Sequence, residues 1–179
     1  MKILPILLMA SKMNSELIIK AQEVLQWRPL LDGVMGGLSS GSVIPCNDNA
    51  CFTGTVRTEN YGGFSSIKGP LEINDLSSFT KIEITAKSDP PAKYDFAIVD
   101  NKSQSARCQF KSSFETRSDM ATTTINFNDF QGPFWRGQRV PPSRAWSFEW
   151  TDVKEIRIFA LKPEIIGDFN LEIKEIRFS

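Results

Sequence analysis

The chain has 179 residues, 21 Lys plus Arg against 21 Asp plus Glu, and no histidine. The zero formal charge argues against broad electrostatic binding to nucleic acid or an anionic membrane, and no apolar run reaches the roughly 18 residues a membrane-spanning helix needs. Without histidine, Ser-His-Asp and Cys-His nucleophile systems and His-ligated zinc or iron are excluded within the chain, so any side-chain catalysis would fall to carboxylates, Lys, Tyr or Cys.

Residues 1–13 read as a flexible N-terminus or a weak targeting segment. Ile3 to Ala10 is a short apolar run behind Lys2, with no small-x-small cleavage site and none of the Arg of a transit peptide. Residues 14–179 read as one β-sandwich domain. Leu17, Ala21, Val24 and Leu25 fall on one face of a helix that opens at Ser15 and stops at Pro29. Alternating runs then predict strands around Phe52 to Val56, Ile82 to Ala86, Tyr94 to Val99, Thr122 to Phe127, Val153 to Leu161 and Phe169 to Phe178. Asn74-Asp75, Asp89-Pro90-Pro91, Asp100-Asn101, Pro141-Pro142 and Ile166-Gly167-Asp168 separate them as turns. Many short strands at this spacing suggest an all-β antiparallel sandwich or jelly roll with a short N-terminal helix.

Cys46, Cys51 and Cys108 make an odd count with no CxxC. The expectation is three reduced thiols, with a Cys46–Cys51 pair across Asn47 to Ala50 as the alternative.

Two glycine motifs stand out: Trp27 to Ser39 (WRPLLDGVMGGLS) and Glu59 to Ser66 (ENYGGFSS). Each sets a Gly-Gly pair beside a large apolar residue and a hydroxyl. Gly-Gly permits close backbone approach, so the motifs are either a cradle of exposed N–H groups or two tight turns docked on each other. The docked turns are the preferred reading, because neither motif continues as a phosphate loop or has dinucleotide spacing. Asp32, Glu59 and Asn60 are oxygen donors of the kind that suits Ca²⁺, but turn building accounts for them first. No metal and no cofactor is expected.

These motifs resemble the complex I intermediate-associated proteins. The resemblance rests on Trp27, Asp32, Val34, Met35, Gly36, Gly37 and Ser39, on Phe52 and Gly54, and on Glu59, Asn60, Gly62, Gly63, Phe64 and Ser66. Phe134, Arg136 and Gly137, and the closing strand from Gly167 to Ile176, extend it. It implies a galactose-binding-like jelly-roll β-sandwich. It also implies a non-catalytic assembly factor or chaperone of mitochondrial respiratory complex I, whose client is a membrane-arm assembly intermediate. Ser88 to Lys93 stands where the family often has Gly-Asp-Gly, so that loop is rebuilt here.

Phe134, Trp135, Arg136 and Arg139 form the candidate partner-binding loop, since aromatic and guanidinium groups are enriched where proteins bind proteins. The alternatives are a carbohydrate-binding module stacking a sugar on Trp135, and a cytoplasmic relative with a different protein client. Trp146, Phe148 and Trp150 alternate as the inward face of a strand.

Overall fold

The computed structural model describes residues 16–179. The segment read as a targeting sequence, and Ser15, the expected helix cap, lie outside the described residues. In chain order the elements are β1 (Leu17–Lys20), α1 (Ala21–Val24), β2 (Arg28–Leu31), β3 (Ser40–Cys46), β4 (Asn49–Val56), β5 (Phe64–Pro70), β6 (Lys81–Ser88), β7 (Lys93–Asp100), α2 (Asn101–Ala106), β8 (Gln109–Glu115), β9 (Ala121–Asn126), β10 (Gln131–Trp135), β11 (Gln138–Arg139), β12 (Val153–Leu161) and β13 (Gly167–Phe178). Single 3₁₀ turns cover Asp32–Met35, Glu59–Tyr61, Phe127–Asp129 and Pro142–Arg144.

The strands form two antiparallel sheets. One runs β3-β4-β13-β6-β9 with β1 added to β13; the other runs β11-β10-β8-β7-β12-β5-β2. Period-2 burial aims alternate side chains inward. Phe52, Ile84, Leu171, Ile173 and Phe178 of the first sheet meet Ile67, Phe96, Ile98, Ile156 and Ile158 of the second in one apolar cluster. This is the expected jelly-roll sandwich.

The N-terminal helix is shorter than its periodicity predicts. Leu17 to Lys20 is a strand, with Leu17 opposite Phe178 and Ile19 opposite Ile176. Leu17 and Ile19 are both buried, and β-branched Ile18 and Ile19 fit a pleat better than a helix. Only Ala21–Val24 remains helical, opened by the Lys20 N–H donating to Glu23 Oε2 at 2.8 Å.

Two further expectations are corrected. Cys46 and Cys51 are joined in a disulfide, and only Cys108 is a free thiol. Asn47-Asp48 forms a two-residue turn with Asn47 left-handed at φ 52, which zips Cys46 opposite Asn49 and brings the two sulfurs together. Trp146, Phe148 and Trp150 do pack on the core, but from an irregular segment and not a strand. Trp150 stacks on Phe127 at 3.6 Å between ring centres. The backbone of this segment is tied in by Asp100, whose Oδ2 accepts from the Glu149 N–H at 2.9 Å while Oδ1 caps α2 through the Ser103 N–H at 2.7 Å. The Asp100-Asn101 turn signal is therefore a helix N-cap.

Candidate functional site: a carboxylate clasp under two glycine loops

The two glycine motifs meet, and Asp32 is the joint. Its side chain is fully buried. Oδ1 accepts from the Ser39 N–H at 3.0 Å. Oδ2 accepts from the Ser39 hydroxyl at 2.5 Å, the Gly63 N–H at 2.8 Å and the Phe64 N–H at 3.2 Å. Burial alone pushes the carboxyl pKa up, but the Ser39 hydroxyl and the Gly63, Phe64 and Ser39 N–H groups more than offset this and hold it below 3.8.

The glycines are spaced for this contact. A side chain at Gly37 would place Cβ 2.3 Å from Asp32 Cγ, and one at Gly62 would place it 2.8 Å from Asp32 Oδ2. Lys162 locks the second loop from outside. Its Nζ donates to the Gly62 carbonyl at 2.8 Å and its N–H to the Gly63 carbonyl at 2.9 Å. Ser66 Oγ donates to the Leu30 carbonyl at 2.6 Å, tying β5 to β2, and Trp27 is buried in the core. These motif residues act as an internal clasp, as the docked-turn reading expects.

No cation is needed to hold the acids. The Asp32 oxygens are filled by N–H and O–H donors. Glu59 pairs at the surface with Arg57, whose Nε lies 3.1 Å from Oε1 and whose hydrogen bond holds the Glu59 carboxyl down to about 2. Asn60 is exposed in a left-handed turn.

The clasp buries its polar parts and displays apolar ones. Val34 is 78% exposed and Tyr61 94%, with Met35 and Leu38 also open. Tyr61 holds φ 62 and Asn60 φ 54, backbone that costs a non-glycine residue about 1–2 kcal/mol and that no packing of the Tyr61 ring repays. Val34, Met35 and the ring of Tyr61 are thus presented on a rigid base.

The predicted loop at Phe134 to Arg139 is a tight hairpin of β10 and β11, turning at Arg136 (φ 47) and Gly137 (φ 79). Trp135 is 47% exposed, with the Arg136 guanidinium 5.0 Å over its ring. Phe134 is half-buried under the Lys111 ammonium at 5.2 Å, and Arg139 is exposed. The structure does not bring this hairpin to the clasp. Strand order puts β10 four inter-strand steps from β5, roughly 19 Å at about 4.8 Å per step.

Between them, the outer face of the seven-stranded sheet carries a polar network that no sequence motif announces. Glu155 accepts from Arg157 Nε at 2.7 Å and Lys68 Nζ at 3.2 Å, and Arg157 reaches Gln109 at 3.0 Å. Asp95 accepts from Lys111 at 2.6 Å and Ser113 at 2.6 Å. These residues come from four strands, β5, β7, β8 and β12, and are brought together only by strand pairing.

The family model of Complex I intermediate-associated protein 30 (CIA30) matches residues 17–173. The chain belongs to that family. No curated protein matches the CIA30-family chain in sequence. Among solved structures it is similar to the family 11 carbohydrate-binding module of the cellulosomal cellulase Lic26A-Cel5E of Clostridium thermocellum, at 18% identity and TM-score 0.63, covering 91% of this chain and 93% of that one. A family 30 carbohydrate-binding module is similar at 11% identity and TM-score 0.56, covering 91% and 98%. At these identities the likeness shows the jelly-roll fold alone. Family membership ties the chain to complex I assembly in general terms.

Proposed function

We propose that this CIA30-family chain is a non-catalytic assembly factor that holds a mitochondrial complex I intermediate by a protein–protein contact. One observation carries the reading: the family's glycine motifs fold into a buried clasp whose outward side chains, Val34, Met35, Leu38 and Tyr61, are apolar and exposed. Isolated monomers rarely leave several large apolar side chains together on rigid loops without a partner. The client is a membrane-arm intermediate, and it leaves when its own next subunit covers the same apolar side chains. At the rim the Arg57 charge is paired with Glu59, which favours an apolar protein surface over an anionic lipid one.

Affinity capture from mitochondria with a C-terminally tagged chain tests this. Complex I subunits are expected with the wild type and lost with Val34→Asp and Tyr61→Ala. Recovery of no respiratory subunit from a host that has complex I overturns the reading.

The half-exposed Trp135 ring favours a second reading, a carbohydrate-binding module. The two exposed aromatics lie far apart, Trp135 at the end of β10 and Tyr61 in the 3₁₀ turn that leads into β5, four inter-strand steps away, and form no shared platform, so it ranks below the first. Saturable quenching of tryptophan fluorescence by a simple glycan, abolished in Trp135→Ala, would reverse that order.

A further inference from the structure

A second unusual cluster lies on the outer face of the six-stranded sheet, away from both loops. Cys51 of β4 sits directly opposite Glu172 of β13, and Glu172 directly opposite Lys87 of β6. Cys46, at the end of β3, closes the group through its disulfide to Cys51. Glu172 is buried although it faces outward. Its Oε1 accepts from Asn49 Nδ2 at 2.7 Å, and its Oε2 lies 3.2 Å from Lys87 Nζ. One oxygen of Glu172 and the two sulfurs all lie within 4.8 Å of one another.

We propose that this cluster is a redox-gated binding site for a thiophilic divalent cation of the zinc class. In the oxidised chain the sulfurs are bonded to each other and offer no thiolate. A dithiol reductant supplies two electrons and two protons, the S–S bond breaks, and the reductant leaves as its own disulfide. Cys46 and Cys51 then present two thiols beside a buried carboxylate. Loss of both thiol protons would crowd three negative groups into one spot, and a divalent cation relieves that crowding. Two thiolates and one carboxylate, with water in the fourth position, make a tetrahedral zinc-type set. Calcium and magnesium are disfavoured because the set is mostly sulfur.

The neighbours have defined parts. Asn49 orients Glu172 through one oxygen, as an outer-sphere partner does. Lys87 competes for the same carboxylate: its ammonium lies 3.2 Å from Glu172 Oε2, and its half-exposed side chain can swing away. Either state pins the β3–β4 hairpin, one by a covalent link within it and the other by a metal link to β13. The proposed mitochondrial location makes the reduced state relevant, since thiol pools in such compartments keep accessible pairs open. The site itself does not depend on the assembly-factor reading and can fail or hold separately from it.

The experiment uses the full chain and Zn²⁺ alone. Treating the folded protein with a phosphine reductant should raise its total thiol count, read after acid unfolding so that buried Cys108 is included, from one to three. The reduced chain should then keep one zinc per molecule through desalting, and the oxidised chain none. Glu172→Gln should weaken zinc binding by about tenfold or more, and Lys87→Gln should tighten it. Co²⁺ in place of zinc should show thiolate-to-metal charge-transfer absorption in the reduced chain, absent from a Cys46→Ser/Cys51→Ser variant that keeps Cys108. A total thiol count that stays at one after this treatment overturns the proposal. So does no zinc on the reduced chain, equal affinity in Glu172→Gln, or weaker binding in Lys87→Gln. The last two variants keep both cysteines, so they decide the matter even if the double serine variant misfolds.

Discussion

Asp32 and Gly63 are 31 residues apart in the chain, and the carboxylate of one accepts the backbone N–H of the other at 2.8 Å. That bond closes two loops over one buried charge. Replacing Asp32 by Ala leaves the Gly63, Phe64 and Ser39 N–H groups without their acceptor in a site water does not reach, at a cost of about 3 kcal/mol or more. Asp32→Asn, which keeps shape and one acceptor, should cost less. The pH dependence has a definite sign. Because the folded carboxyl sits below its ordinary 3.8, its stabilisation is fully present above pH 3.8 and fades as pH falls through the folded value. The stability gap between wild type and Asp32→Asn should therefore narrow on acidification below 3.8. Urea unfolding of both proteins from pH 3 to 7 checks it; a gap that is flat across that range would show that the charge does not support the clasp.

Glycines of the same motif should behave oppositely. Gly37→Ala drives Cβ to 2.3 Å from Asp32 Cγ, whereas Gly33→Ala meets nothing within 4 Å. Strain at Gly37 should cost on the order of 2 kcal/mol. Gly33→Ala should stay within about 0.5 kcal/mol of wild type. Thermal or denaturant midpoints measured side by side discriminate between a clasp and a loose glycine-rich loop, which would tolerate both.

The sandwich was legible because strand alternation is local: Ile82, Ile84 and Ala86 name their own inward face. The docking of the two glycine motifs was legible too, since paired Gly-Gly turns ask for a close backbone neighbour. What stayed hidden depends on partners distant in sequence. Leu17 to Val24 has helical spacing, yet pairing with Phe178 and Ile176 at the far end of the chain pulls its first half into a strand. Cys46 and Cys51 were expected as free thiols because the count is odd and no CxxC occurs, and the left-handed Asn47 turn that zips the β3–β4 hairpin and brings the sulfurs together has no signature in cysteine spacing. Glu59 and Asn60 were grouped with Asp32 as oxygen donors, but Arg57, two residues from Glu59, claims that acid first. The Lys68–Glu155–Arg157 row is assembled across strands and leaves no motif at all.

Tyr61 tests whether the exposed loops exist for binding. Its ring is almost wholly open and its backbone is held at φ 62. Tyr61→Gly removes the left-handed penalty and adds chain freedom to the unfolded state. The balance should leave stability equal to wild type or up to about 1 kcal/mol higher. Capture of complex I subunits should nonetheless fall. A variant that is less stable and still captures its client would instead make the ring a structural element, and the loop patch would lose its standing as the docking surface.

Tyr94 gives a check on the core between the sheets. Its ring is fully buried, stacked near Phe114 at 5.8 Å and edge-on to Phe169 at 6.5 Å. Burial pushes its phenol up to about 12. In a Tyr61→Phe variant Tyr94 is the only tyrosine left of two, so ultraviolet difference absorption reads it alone. No phenolate should form near pH 10 while the protein stays folded. Between pH 10 and 12 the unfolded chain gives up this proton and the folded chain keeps it, so stability should fall as pH rises through that window. Phenolate absorbance rising at pH 10 without loss of near-ultraviolet circular dichroism would mean that water reaches Tyr94, and that the two sheets are less tightly closed over it than this packing requires.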